Sequence, residues 1–413
     1  MDSEGLRKRP GEFTEEKPDV KAREAAVEEL PHPAGEVKHG LLVQIIRAIV
    51  SIGWAVISCI GIHVTQFVGV PLYLWNKDYY YAWMALTKQH FVIILLTLSH
   101  YFSPTVIRIS WDSSMRGQLR KTQAGRLEAS FPERMVLMSN HQIYTDWIYL
   151  WWSAYASRMH GHLYVLLKES LRYIPLLGPG MMFYGFIFMA RKWVYDKPRL
   201  AHRLQQLKTK HHGPQSGNAD LDPMWLLIFP EGTNLSANTR KKSVAWSQKS
   251  GEPDMKHQLL PRATGMHFCL QELKDTVDWV YDCTVAYEGV PYNGYAQDYF
   301  SLRSTFLQGR PPKSVNLHWR RFAIADIPLD DQESFRKWIE ARWREKDAML
   351  DQYKTTGRFP ADTDAKDAKT PAYIETDVRL NSWTELMQPY IVPLTVFLIF
   401  NIVRRFWKQF MSA

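Results

Sequence analysis

Residues 135–147 read MVLMSNHQIYTDW: an apolar run of strand length, then Asn140 and His141, then Asp146 five residues after the histidine. Five steps along a regular helix rotate a side chain by about 500°, which leaves the two residues about 140° apart instead of on one face. His141 is therefore expected just before a helix that begins near Asp146. There the imidazole can turn back to the carboxylate, which fixes its tautomer and frees the second ring nitrogen to act as a general base. A His–Asp pair of this kind is two thirds of the serine-hydrolase arrangement without the protein nucleophile, so the attacking hydroxyl is expected to come from a substrate.

Further short apolar runs follow the same pattern. Strands are expected at 106–109, 135–138, 163–167, 186–189, 225–229, 280–286 and 315–319, separated by longer amphipathic stretches, which is the alternation of an α/β domain. The end of the fourth run carries Arg191 to a place where an anion can meet it. The fifth run leads into Pro230, Glu231, Gly232 and Thr233. Gly232 permits close backbone approach to a phosphate, and Glu231 can accept from a hydroxyl or orient an arginine. LLPRATG then supplies Arg262, and YEGVPY supplies Pro291 before a turn. Residues 331–353 place Phe335, Trp338, Ile339 and Trp343 at helical spacing behind Asp330 and Asp331, both expected as caps.

Taken in order, NHQIYTD (140–146), Gly185 to Arg191, FPEGT (229–233) and Val290-Pro291 resemble the four blocks of the glycerolipid acyltransferase superfamily. The wider text, with KES (168–170), RKW, FPEGTN and LLPRATG, is similar to the branch of lysocardiolipin, lysophosphatidylinositol and lysophosphatidic acid acyltransferases. The resemblance covers roughly residues 90–350. It implies a mixed sheet flanked by helices, and an acyl group moved from acyl-CoA, a co-substrate, to the free hydroxyl of a lysophospholipid. No bound cofactor and no metal are implied. His141 becomes the general base and Asp146 its partner; Arg191 the phosphate clamp; Glu231 the group that orients it or a glycerol hydroxyl; Gly232 an oxyanion or phosphate donor; and Pro291 a wall of the acyl-CoA pocket. Asn140, Lys168, Gly185, Thr233 and Arg262 complete the expected substrate-binding set. Asn234 stands where many relatives carry a basic or small residue, which shifts phosphate binding to Arg191 and Arg262 and away from simple lysophosphatidic acid. The alternative on the same scaffold is a membrane lipid-binding or bilayer-shaping protein without turnover.

The flanks are apolar. Residues 48–75 contain no Asp, Glu, Lys or Arg, long enough to cross a hydrocarbon core that takes about 20 helical residues. A second apolar stretch lies between Lys88 and Arg108, diluted by His90 and His100, and a third at 386–403 runs into Arg404, Arg405, Trp407 and Lys408, a basic and aromatic border. The expected organisation is a disordered tail (1–38), N-terminal membrane segments (41–103), a catalytic domain (104–353), a linker (354–385) and a C-terminal membrane segment (386–408). The resemblance places it in the endoplasmic reticulum or another endomembrane. The first forty residues hold no apolar run, so no cleaved secretory signal is expected.

With 51 Lys and Arg against 42 Asp and Glu, the net charge of +9 calls for anionic partners. No basic helix, zinc spacing or aromatic RNA-binding signature accompanies it, which argues against nucleic acid. Cys59, Cys269 and Cys283 are too few and scattered for a disulfide framework. His211 and His212 lie in a Gly, Pro and Asn rich loop and read as solvent-facing. The sequon at Asn234 falls in the expected site loop and reads as unoccupied.

Overall fold

Eight strands build one sheet in the order β10-β1-β9-β8-β4-β7-β5-β6. They are β1 (Val106–Trp111), β4 (Arg134–Ser139), β5 (Leu163–Lys168), β6 (Ile187–Met189), β7 (Met224–Ile228), β8 (Trp279–Tyr287), β9 (Ser314–Ala323) and β10 (Ile374–Asp377), with β2 (Leu119–Lys121) and β3 (Leu127–Ala129) forming a separate hairpin. The computed structural model describes residues 31–362 and 373–412, so most of the expected 1–38 tail lies outside the described residues. β4 pairs in parallel with both β7 and β8, and β5 in parallel with β6 and β7. β8 and β9 are antiparallel, and β10 closes the β1 edge antiparallel. β7 is buried at every residue, and β4 at every residue but Arg134, as strands covered on both faces must be. The α/β class and the mixed sheet stand as the sequence indicates.

Helices α1 (Leu41–Gly69), α2 (Lys77–Phe102), α3 (Asp146–Ala156), α4 (Trp193–Lys208), α5 (Ala237–Ser250), α6 (Ala263–Leu273), α7 (Gln332–Thr356) and α8 (Gln388–Ser412) accompany the sheet. One core joins β4, β7 and β8 to α4, α6 and α7 through Val136, Leu226, Val280, Leu200, Leu270 and Trp343. Asp331 caps α7 by accepting the Ser334 N–H at 2.7 Å; its neighbour Asp330 is not the cap.

Three helical stretches are long and apolar enough to cross a membrane. α1 and α8 hold each other through Ser58 Oγ and Tyr390 OH, 2.5 Å apart, and expose Leu41, Leu42, Ile45, Phe397, Phe400 and Trp407. α2 differs: 67% of its apolar window is buried inside the protein. Phe91 packs on Trp151 and Tyr184, and the Lys88 ammonium sits 3.8 Å from the Tyr164 ring centre. His90 is buried together with Val92, Ile93, Ile94 and Leu96, while His100 is half-buried with Nδ1 3.2 Å from Val378 O.

The expected linker at 354–385 is not free chain throughout. Phe359 is buried against Tyr353, and Ile374–Asp377 is the edge strand β10. Its text, IETD, is too short and acidic to read as a strand; partnership with β1 makes it one.

α7 is fastened to the sheet by buried charge. Asp282 of β8 is fully buried and accepts from Lys346, itself fully buried, and from Arg320 Nε at 2.7 Å. Removing one partner from such a cluster strands the others without water. Lys346→Met is expected to cost about 3–5 kcal/mol, read as a lowered unfolding midpoint of the detergent-purified protein.

Candidate functional site

Five parallel strands, β5, β6, β7, β4 and β8, end on the same edge of the sheet, and the segments singled out in the sequence leave from those ends. Loops at strand C-termini are where open α/β sheets bind ligands. β4 delivers Asn140 and His141, β7 delivers 229–233, β6 delivers Arg191, β5 ends on Lys168, and β8 runs through Tyr287 toward Pro291.

α3 begins at Asp146, so His141 precedes the helix. His141 Nδ1 lies 2.8 Å from Asp146 Oδ2, and the same oxygen accepts the N–H groups of Gln142 (2.5 Å) and Ile143 (3.0 Å). Asp146 has no exposure, while the His141 side chain keeps 18% of its surface. With Nδ1 committed to Asp146, Nε2 has no hydrogen-bond partner among the described residues. The imidazole stacks on Phe229 with ring centres 4.3 Å apart.

Tyr287, the last residue of β8, donates to the other Asp146 oxygen, Oδ1. Burial and the neighbouring carboxylate push its phenol well above the ordinary range, so it remains a donor. Sequence reading passed over it, although it opens the YEGVPY text already picked out for Pro291.

Three residues expected to face substrate do other work. Asn140 is fully buried, with Nδ2 bonded to Val285 O (3.0 Å) and Oδ1 to Val285 N (2.8 Å). The β4–β8 ladder ends at the Ser139 and Cys283 pair, and the Asn140 amide extends it by imitating a peptide group. Glu231 is also buried; it receives the His141 N–H at 2.9 Å and the Leu259 N–H at 3.0 Å, so it holds the backbone under the histidine and does not meet Arg191. Burial pushes its carboxyl up to about 8, against the pull of the two N–H donors. Gly185 lies at the opposite end of β6 from Arg191, against the Tyr164 ring, where φ of +72° suits glycine.

Gly232 also has positive φ, +72°, in a turn closed by its N–H to Phe229 O at 2.9 Å. Two arginines converge on it. Arg191 Nη2 donates to Gly232 O at 2.6 Å, and the Arg262 side chain passes within 3.5 Å of where a Gly232 Cβ would stand. Burial and the Arg262 charge both lower the Arg191 pKa. Neither guanidinium has an ion-pair partner among the described residues, so the pair is suited to an anion. Thr233 follows on the same turn. Asn234 is buried with Nδ2 3.4 Å from Gln297 Oε1 and adds no cation. Lys168 is exposed beside Met189 of β6. Pro291 O accepts the Lys354 ammonium at 2.8 Å and the Gly294 N–H at 2.9 Å, which fixes the turn after β8.

The arrangement can take a proton from a hydroxyl at His141 while an anion sits on the arginine pair. Comparison with known proteins bears on which reaction that is. Residues 120–288 match the family described as Acyltransferase, and residues 305–383 match the one described as Acyltransferase C-terminus. An uncharacterized acyltransferase of Schizosaccharomyces pombe is 34% identical over 82% of this chain and 91% of its own. A 2-acyl-1-lysophosphatidylinositol acyltransferase of Saccharomyces cerevisiae is 37% identical over 70% of this chain and 79% of its own. Lysocardiolipin acyltransferase 1 of Gallus gallus is 32% identical over 55% of each chain.

Glu231→Gln keeps one acceptor and turns an amide NH2 toward the second backbone N–H. The expected loss is about 1–3 kcal/mol, the cost of a buried donor left unpaired, measured as a lowered unfolding midpoint against wild type.

Proposed function

We propose, from the premise that this chain belongs to the acyltransferase family, that it moves a fatty acyl group from acyl-CoA to the free hydroxyl of a lysophospholipid. The observation that carries the reading is the His141–Asp146 pair, beside two arginines; among the described residues Nε2 has no partner and neither arginine has a carboxylate partner.

In this mechanism Asp146 holds His141 in the tautomer whose Nε2 is unprotonated. Nε2 takes the proton from the acceptor hydroxyl as its oxygen attacks the thioester carbonyl. The tetrahedral intermediate collapses with cleavage of the C–S bond, and the imidazolium returns its proton to the departing sulfur, so free coenzyme A and a diacyl phospholipid leave. Arg191 and Arg262 hold the lysolipid phosphate, since guanidinium groups bind phosphate through paired, charge-assisted hydrogen bonds. The Gly232 N–H, expected as a donor, is already bonded to Phe229 O at 2.9 Å, so the backbone N–H of Thr233 is the one proposed to stabilise the oxyanion or the phosphate. Lys168, exposed at the same sheet edge, is assigned to the anionic parts of the substrates, and the turn at Pro291 to the acyl-CoA pocket.

A lysophosphatidylinositol-type acceptor is the first choice of head group. The Saccharomyces cerevisiae relative bears that name, and Asn234 leaves only two arginines at the phosphate position. The exposed apolar faces of α1 and α8 support residence in a membrane, with the endoplasmic reticulum or another endomembrane as the proposed compartment.

Membranes carrying the wild-type protein, given one acyl-CoA and a panel of lysolipids, are expected to release thiol, fastest with lysophosphatidylinositol. His141→Ala is expected to lower that rate by about 10²–10⁴-fold without changing membrane association; retained turnover would remove the His141 mechanism. Arg191→Ala is expected to raise the KM for lysolipid more than the KM for acyl-CoA, and the reverse split would exchange the two binding assignments.

A further inference from the structure

Arg191 stands in a backbone conformation that its side chain disfavours. Its φ is +62°, in the left-handed region where a Cβ crowds the following carbonyl. It occupies the short connection between β6 and α4, one residue before Lys192, the N-cap of α4, whose side chain makes no capping bond.

The carboxylate that holds this connection comes from inside the helix. Asp196, 2% exposed, accepts the Ala190 N–H at 2.7 Å through Oδ1 and the Lys192 N–H at 2.9 Å through Oδ2. These are the N–H groups on either side of Arg191. The Ala190 N–H belongs to the peptide before Ala190 and the Lys192 N–H to the peptide after Arg191, so one carboxylate ties the two ends of the Ala190–Arg191 segment and restricts the dihedral angles of both residues. No cation pairs with Asp196 among the described residues, so a buried charge is spent on two backbone donors, an arrangement that needs a return. The return is the direction of the arginine: from this backbone the guanidinium reaches Gly232 O at 2.6 Å, beside Arg262.

We infer that Asp196 is a positioning residue that holds Arg191 in its strained conformation and thereby aims its guanidinium at the lysolipid phosphate. The inference rests on the assignment of Arg191 as the phosphate clamp. Asp196 touches no substrate; it acts through the backbone of its neighbour.

The test uses full-length protein in membranes, with Asp196→Ala, Arg191→Ala, the double variant and Asp196→Asn, assayed by coenzyme A release with lysophosphatidylinositol. Asp196→Ala is expected to raise the KM for lysolipid about 3–10-fold, with kcat and the KM for acyl-CoA within about twofold. In the Arg191→Ala background the same change is expected to add little, because its target is already gone. Asp196→Asn retains one acceptor oxygen, falls between wild type and Asp196→Ala, and serves if Asp196→Ala does not fold. A multiplicative loss in the double variant, equal to that of the single, would overturn the inference and leave Asp196 a merely structural residue. An unchanged lysolipid KM in Arg191→Ala would instead sink the phosphate-clamp reading itself. A substrate-independent measurement separates the two: Arg191→Gly adopts positive φ unaided and has no strain to release, so Asp196→Ala is expected to lower the unfolding midpoint more in that background than in wild type, where relaxation of Arg191 offsets part of the lost bonding. Equal lowering in both would overturn the claim that Asp196 holds this backbone.

Discussion

A carboxylate cut off from water needs hydrogen-bond donors on every side, and Asp146 gathers them from two parts of the chain. Its own turn supplies the N–H groups of Gln142 and Ile143, His141 supplies a ring nitrogen, and Tyr287 reaches across from the end of β8. Each donor restricts something else. The two amides set where α3 begins, the imidazole loses its freedom to rotate, and the tyrosine links the start of α3 to the strand beside β4. Leaving any of these groups unpaired would cost more than the bond itself contributes, because the site is dry. The geometry around His141 is thus enforced by desolvation.

Around that centre the polar residues divide into those that serve the backbone and those with a free polar end. Asn140 and Glu231 are deeply buried, and each satisfies two main-chain positions. His141, Arg191 and Arg262 are the groups left with unspent capacity, and they are more exposed. Polar side chains with no capacity left can only hold shape. The shape they hold is a sheet edge whose loops carry one imidazole and two guanidinium groups.

Much of this was readable in the residues. The strand-loop-helix text around His141 indicates both the α/β class and the histidine's place before the helix, because apolar runs of strand length and the 100° helical step leave few alternatives. Other features were not readable, for identifiable reasons. β10 is IETD, which carries no strand signature and becomes a strand only by pairing with β1. Asn140 and Glu231 have the chemistry of ligands, and only the position of Val285 and Leu259, more than a hundred residues and nearly thirty residues away, reveals what they bind. Tyr287 belongs to the same class, since its partner lies 141 residues back along the chain. Local pattern identifies elements; the use of a buried polar group depends on contacts that pattern does not encode.

The position of β1 has a consequence for how the molecule comes to exist. β1 is the first strand of the main sheet to be made, yet both of its neighbours, β9 and β10, come near the end of the chain; Ser110 and its β9 partner His318 are separated by 208 residues. Throughout synthesis β1 presents two unpaired edges, the kind of surface that recruits strands from other chains. Pairings of such long sequence separation form slowly, after the loop between them has been ordered or closed. The apolar helix α1 and the packed helix α2 immediately precede β1, so the waiting strand is tethered beside the place where its partners must arrive. Completion comes late: β10 covers the last open edge of β1 shortly before α8 returns to α1. A ribosome that stalls or terminates just before residue 374 releases a chain in which β1 can pair with β9 but keeps its other edge open.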